Sequence, residues 1–235
     1  MAAAGVKPYS GIEPMMSVLP PSAHFPPAEE ADPEGLVGFG GKLSVEWLLD
    51  AYSHGIFPWP LTDFEAPLAW WSPDPRAVID FENFHVSRRL QRTCRSGHFV
   101  VTRNRNFIGV IRGCAMVPSR VGRTWLTPEM IDAYIRLHRL GYAHSIEVWH
   151  EHELAGGVYG VSIGGLFAAE SKFYRVRDAS KVALVHLVEH LRGRGYSLLD
   201  IQQLTPHTER FGAAAISRSE YLSRLASALL QPVSF

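Results

Sequence analysis

Residues 144–204, HSIEVWHEHELAGGVYGVSIGGLFAAESKFYRVRDASKVALVHLVEHLRGRGYSLLDIQQL, decide the fold through the order of their patterns. Apolar and aromatic runs at 144–151, 153–164 and 165–174 predict three strands, and the Gly164–Gly165 pair joins the last two as a hairpin. A helix follows over 178–195, with Leu184, Leu187, Val188 and Leu191 on its inward face, and 196–204 predicts one more strand. That strand ends by placing Asp200 and Gln202 two positions apart. On a regular strand the two share a face, so a carboxylate there would orient an amide.

Helices flank this segment. Thr127 caps an amphipathic helix with Pro128 in its first turn and Gly141 at its end, Ser44 and Gly55 bracket a shorter one, and SRSEYLSRLASALL closes the chain as another. The first forty or so residues, rich in Ala, Pro and Glu, predict an extended arm. GIFPWP and AWWSPDPR are too rich in proline for regular structure, which puts Trp59, Trp70 and Trp71 on loops. The fold class expected is α/β (α+β). A small N-terminal domain within 1–84 precedes a mixed-sheet domain over 85–235 that starts with an arginine-rich helical segment.

The 235 residues are 46% hydrophobic and 20% charged, ordinary for a globular protein, with a net charge of zero. That average hides an asymmetry: residues 1–84 hold twelve acids and three bases, whereas 85–123 hold nine arginines and no acid. Arg88, Arg92 and Arg95 recur at i, i+4 and i+7 on one helix face with Arg89 adjacent, a stripe that attracts nucleic acid or another phosphate-rich partner. A solvated face is the bland alternative, but such faces mix signs. Two cysteines without metal-ligand spacing, and no HExxH or related motif, give no expectation of a metal or cofactor. No signal peptide or membrane span is visible, so a cytoplasmic protein is expected.

Meander, crossover helix, further strand and final helix is the order of the acyltransferase fold shared by the N-acetyltransferases (GNAT-like). Those enzymes hold coenzyme A pyrophosphate with a [QR]xxGx[GA] loop at the start of the crossover helix. Here the nearest approximation, HLRGRG, begins with His190 and lies at the opposite end. A coenzyme A-dependent N-acyltransferase and a noncatalytic RNA-binding module stay open beside an acyltransferase whose acyl carrier is RNA.

GIFPWP, WWSPDPRAVI, TWLTPEM, GGVYGVSIGGLF, ESKF, DASKVALVHL and LLDIQ together resemble the leucyl/phenylalanyl-tRNA–protein transferases, from about residue 35 nearly to the end. The resemblance implies transfer of leucine or phenylalanine from Leu-tRNA or Phe-tRNA to the α-amine of proteins beginning with Lys or Arg, marking them for N-end rule degradation. It implies no cofactor, and the enzyme is expected to be a monomer. It assigns catalysis to Asp200 and Gln202, and places Glu170 beside the reacting groups. The terminal adenosine would lie on Trp59 and Tyr134 near Trp125, and Val158, Phe167, Leu187 and Leu191 would surround the donor side chain. Arg88, Arg89, Arg92 and Arg95 would hold the acceptor stem. Members read GESMF where this chain reads AESKF, so Ala169 and Lys172 depart from the donor pocket of the family. On a regular strand Lys172 would share a face with Glu170.

Overall fold

A computed structural model describes residues 7–8, 19–61, 67–117 and 126–235. Its strands are β1 (Lys7–Pro8), β2 (Leu36–Phe39), β3 (Phe57–Pro58), β4 (Ala69–Trp71), β5 (Arg76–Ile79), β6 (Val100–Arg103), β7 (Ala143–His150), β8 (Glu153–Ile163), β9 (Leu166–Tyr174), β10 (Leu198–Gln202) and β11 (Ala213–Ile216). Its helices are α1 (Val45–Ser53), α2 (Arg88–Arg95), α3 (Phe107–Ala115), α4 (Pro128–Arg139), α5 (Ala179–Arg194), α6 (Pro206–Glu209) and α7 (Arg218–Leu229).

The local signals act as their chemistry requires. The Ser44 and Thr127 hydroxyls accept from the Trp47 and Met130 backbone N–H groups at the starts of α1 and α4. Gly164 takes the left-handed conformation in a two-residue turn, so Ile163 pairs directly with Leu166. The expectation of loops for Trp70 and Trp71 is corrected: both lie in β4, and Trp70 is fully buried. The prolines permit this because Pro58 sits in β3, an edge strand, where a missing N–H costs no ladder bond.

The larger sheet runs β11-β5-β10-β9-β8-β7-β6, antiparallel except where α5 carries the chain from β9 to a parallel β10. This is the order read from the sequence, a meander followed by a crossover and a parallel strand. The smaller sheet runs β1-β2-β4-β3. Strand β5, although within residues 1–84, belongs to the larger sheet, between β10 and β11.

Strand alternation sends side chains into two cores. Val158 and Phe167 pack with Val182, Leu187 and Leu191 of α5. Tyr159 and Leu166 pack on the other face with Phe107 of α3, Tyr134 of α4 and Leu225 of α7. Among the described residues no helix is long and apolar enough to cross a membrane.

Candidate active site

Strands β9 and β10 pair from Leu166 with Leu198 to Ala168 with Asp200, and there the ladder stops. Each strand carries one extra residue just beyond that point. Glu170 is extra against β8, where Tyr159 faces Ser171 and Gly160 faces Ala169. Ile201 is extra against β5, where Val78 faces Asp200 and Ala77 faces Gln202. Such bulges re-aim side chains. Gly160 allows the first of them, because a Cβ there would collide with the Ala168 carbonyl and the Phe167 ring. A cavity of about 170 Å³ opens in the gap, with Glu170, Gln202, Lys172, Val158 and Leu184 in its wall and Trp59 beside them.

Asp200 does not orient the Gln202 amide, contrary to the strand-face expectation. It is fully buried, and its two oxygens accept from Arg76 Nε at 2.9 Å and Nη2 at 2.7 Å. The Tyr221 hydroxyl donates to Oδ2 at 2.9 Å, and the Gln202 backbone N–H donates to Oδ1 at 2.9 Å. The bulge explains the correction. Gln202 adopts φ 57°, a left-handed conformation uncommon outside glycine, so its main chain turns back on Asp200 while its side chain swings away.

Arg76 is equally committed. Its Nη1 donates to the Gly55 carbonyl at 3.1 Å, and its guanidinium lies 4.7 Å from the Phe57 ring and 4.5 Å from the Tyr221 ring. Burial alone would favour its neutral form, but the Asp200 charge overrides burial and raises its pKa. Asp200 is therefore an anchor that fixes where Gln202 leaves the sheet.

The Gln202 Nε2 donates to Glu170 Oε1 at 2.8 Å, and the Tyr134 hydroxyl donates to Oε2 at 3.0 Å. The Tyr52 hydroxyl lies 2.7 Å from that of Tyr134. Tyr134 has one proton and gives it to Glu170, so Tyr52 must be the donor of the shorter bond. Burial first, then the charge of Glu170, raises both tyrosine pKa values well above the usual phenol range. Glu170 is pushed up to about 7, chiefly by burial and against the opposing hydrogen bonds from the two tyrosines. The site thus holds a carboxylate that exchanges its proton near neutrality, oriented from one side by an amide and from the other by a phenol chain.

The remaining expected residues are distributed unevenly. Trp59 stands at the cavity, 39% exposed, its backbone N–H bonded to the Ala69 carbonyl. Tyr134 is fully buried, so its ring offers no stacking surface and its hydroxyl supports Glu170 instead. Trp125 lies outside the described residues. Val158 lines the cavity, but Phe167, Leu187 and Leu191 have no exposed surface and fill the core behind it; Leu184, one helical turn before Leu187 and Val188, takes the wall position.

Lys172 departs from the expectation that it shares a face with Glu170. It pairs across the sheet with Val158 on the α5 side, whereas Glu170 reaches the α4 side, because the bulge between them resets the alternation. Arg88, Arg89, Arg92 and Arg95 are all exposed on α2, and Arg88, Arg92 and Arg95 line one shallow depression. Arg76, Tyr221 and Tyr52 are given no role by the sequence. Nothing in the sequence around them marks them out until the fold brings Arg76 and Tyr221 to Asp200 and Tyr52 to Tyr134. The HLRGRG run lies at the C-terminal end of α5, as its position in the sequence requires. No group of three or more metal-ligating side chains occurs among the described residues.

Comparisons with known proteins bear on this geometry. The family described as leucyl/phenylalanyl-tRNA protein transferase matches residues 78–226, and its N-terminal domain matches residues 41–74. The leucyl/phenylalanyl-tRNA–protein transferase of Anaeromyxobacter sp. (strain K) is 53% identical over 216 residues, covering 91% of each chain. Among solved structures, FemX is similar with a TM-score of 0.47 at 10% identity, over 74% of this chain and 67% of that one. A GCN5-related N-acetyltransferase from Kribbella flavida gives 0.36 at 8% identity, over 72% and 60%. From its sequence and its matched domains, this chain belongs to the leucyl/phenylalanyl-tRNA–protein transferase family and is an aminoacyltransferase.

Proposed function

We propose that this chain transfers leucine or phenylalanine from Leu-tRNA or Phe-tRNA to the α-amine of proteins beginning with Lys or Arg, as a cytoplasmic monomer that marks them for N-end rule degradation. The observation that carries the reading is the Glu170–Gln202 pair at the strand split, in a protein of this family.

An aminoacyl ester is already activated, so the enzyme must position the amine and provide a route for the two protons its nitrogen loses. An α-ammonium with an unperturbed pKa of about 7.7–8.0 loses its proton readily to a carboxylate of pKa about 7. With Nε2 of Gln202 held by Glu170, its Oε1 is the acceptor that aligns an N–H of the amine. The amine nitrogen then bonds to the ester carbon, the carbonyl oxygen takes the negative charge, and collapse breaks the bond to the ribose oxygen. Glu170 gives its proton to that oxygen, and the remaining extra proton on the adduct nitrogen passes to water, leaving an amide, uncharged tRNA and one released proton. Asp200 and Arg76 are positioning residues here, not partners in proton transfer.

Label is expected to move from [14C]Leu-tRNA to a protein with N-terminal Arg and not to one with N-terminal Ala. Transfer from acetyl-CoA instead would select the coenzyme A reading, and tRNA binding with no transfer the noncatalytic one.

Two further outcomes follow. Replacing Arg88, Arg92 and Arg95 with alanine is expected to weaken tRNA binding and reduce its salt slope by about 0.7–0.9 for each phosphate no longer neutralised, without altering the melting temperature, since all three are exposed. Filter binding over a salt series checks it. On the α5 side of the cavity, Lys172→Met is expected to raise kcat/KM for Leu-tRNA or Phe-tRNA by up to roughly tenfold, the effect of about 1.5 kcal/mol of added apolar burial. Competition between the charged tRNAs measures it, and unchanged rates and order would place the Lys172 side chain outside the donor site.

A further inference from the structure

A second cavity, of about 330 Å³, lies between α2, the start of α5 and α6. Its wall carries His85 and Arg89 from the α2 region, Arg177 and Lys181 from the start of α5, and His207 and Arg210 from α6 and its end. The one carboxylate in that wall is Asp178, whose Oδ1 lies 2.7 Å from Lys181 Nζ, with Oδ2 at 3.9 Å from both Arg89 and Arg177. Four permanent cations against one anion leave a surplus of positive charge facing the cavity, which attracts an anion. His207 reports the same field: burial first, then Lys172, Lys181 and Arg210, hold it below the usual imidazole range.

Location selects the anion. Helix α6 separates this cavity from the reaction site: Thr205 and Thr208 line the one, His207 and Arg210 the other. On its far side, Arg89 is next in sequence to Arg88 of the exposed arginine depression. A strand whose double-stranded end rests on the arginine helix, and whose ester lies at Glu170, must cross between them.

We propose that this cavity binds a phosphodiester of the single-stranded 3′ end of the donor tRNA, holding the strand as it passes α6 into the reaction site. The assignment rests on the aminoacyl-tRNA reading above. The cations act as charge-assisted donors to non-bridging phosphate oxygens, and Asp178 keeps Lys181 in place while the site is empty of RNA.

The test compares the native protein with Arg177→Gln/Arg210→Gln, both exposed positions, using two donors: Leu-tRNA and 3′-O-leucyl-adenosine, which has no phosphate. The variant is expected to raise KM for Leu-tRNA about tenfold and to reduce its salt slope by about 0.7, the single-strand value per phosphate. Its rate with leucyl-adenosine is expected to match the native rate. An equal loss with both donors, or an unchanged salt slope, would overturn the assignment. If the native protein fails with leucyl-adenosine and with Leu-tRNA alike, the transferase reading fails and this site with it; native turnover of both without a KM change in the variant removes this site alone. A CCA trinucleotide is expected to compete with Leu-tRNA more strongly than inorganic phosphate at equal phosphate concentration, and to lose that advantage in the variant. Equal competition by both would mark a free-anion site and contradict the proposal.

Discussion

Glu170→Gln is expected to lower single-turnover transfer by roughly 10²–10⁴-fold, the range typical of a lost general base, with the KM for Leu-tRNA changed no more than a few fold. The substitution keeps the size of the side chain and can keep hydrogen bonds to both Gln202 and Tyr134, so it removes proton acceptance rather than shape. Stability supplies an independent readout. The folded pKa of Glu170, about 7, is raised above its unfolded value, so its protonated form stabilises the fold at low pH. That contribution is lost as pH rises towards and through about 7. Glutamine does not titrate. The variant should therefore gain stability relative to the native protein between pH 5 and pH 8 while losing activity throughout. Denaturant melts at the two pH values check the sign, and a variant that is inactive because it is misfolded would lose stability at both.

The second large effect concerns the buried anchor. Arg76→Met leaves the Asp200 carboxylate buried with only the Tyr221 hydroxyl and the Gln202 N–H to satisfy it. Removing one partner of a buried pair costs about 3–5 kcal/mol, which for a chain of this size lowers the melting temperature by roughly 6–20 °C. Arg76→Met/Asp200→Asn is expected to recover part of that loss, because no uncompensated charge is left, yet to stay slow in transfer, because the Gln202 backbone has lost a charged anchor. Calorimetry together with kcat separates the two consequences. Full catalytic recovery in the double variant would show that Asp200 does not position Gln202 through its charge.

Tyr221→Phe offers a milder version of the same argument. It removes one hydroxyl donor to Asp200 and leaves the ring against Arg76. A loss of about 1–3 kcal/mol is expected for the under-satisfied carboxylate, followed by urea denaturation.

Strands β7 to β10 were legible in the sequence because their signals are local, whereas β5, β6 and β11, four residues each, carry no such signal. Gly164–Gly165 between two apolar runs sets the β8–β9 register, and the caps at Ser44 and Thr127 place α1 and α4 without reference to any distant residue. Proline misled where tertiary position decides. Pro58 was compatible with a strand because that strand is an edge, and nothing in GIFPWP says so.

The site was legible as a set of residues and not as a geometry. Gln202 bonds to both Asp200 and Glu170, but through its main chain to the first and its side chain to the second, since two bulges interrupt the period of two at the proposed reaction site. Gly160 is the one sequence trace of the first bulge, and one glycine in a strand with several does not announce it. Arg76 and Tyr221 were invisible for a different reason. Their partner is 124 and 21 residues away, and only the antiparallel approach of β5 and the return of α7 bring them to it.

The most direct test of the account is the pH dependence of single-turnover transfer from saturating Leu-tRNA to a saturating peptide with N-terminal Arg, in the native protein and in Glu170→Gln. The ionisation of the acceptor amine is common to both, so the difference between the profiles belongs to Glu170. The native rate is expected to rise with pH through an inflection near 7, where Glu170 loses its proton, and that inflection is expected to be missing from the slow variant. The same inflection in both proteins, or a variant as fast as the native enzyme, would contradict it.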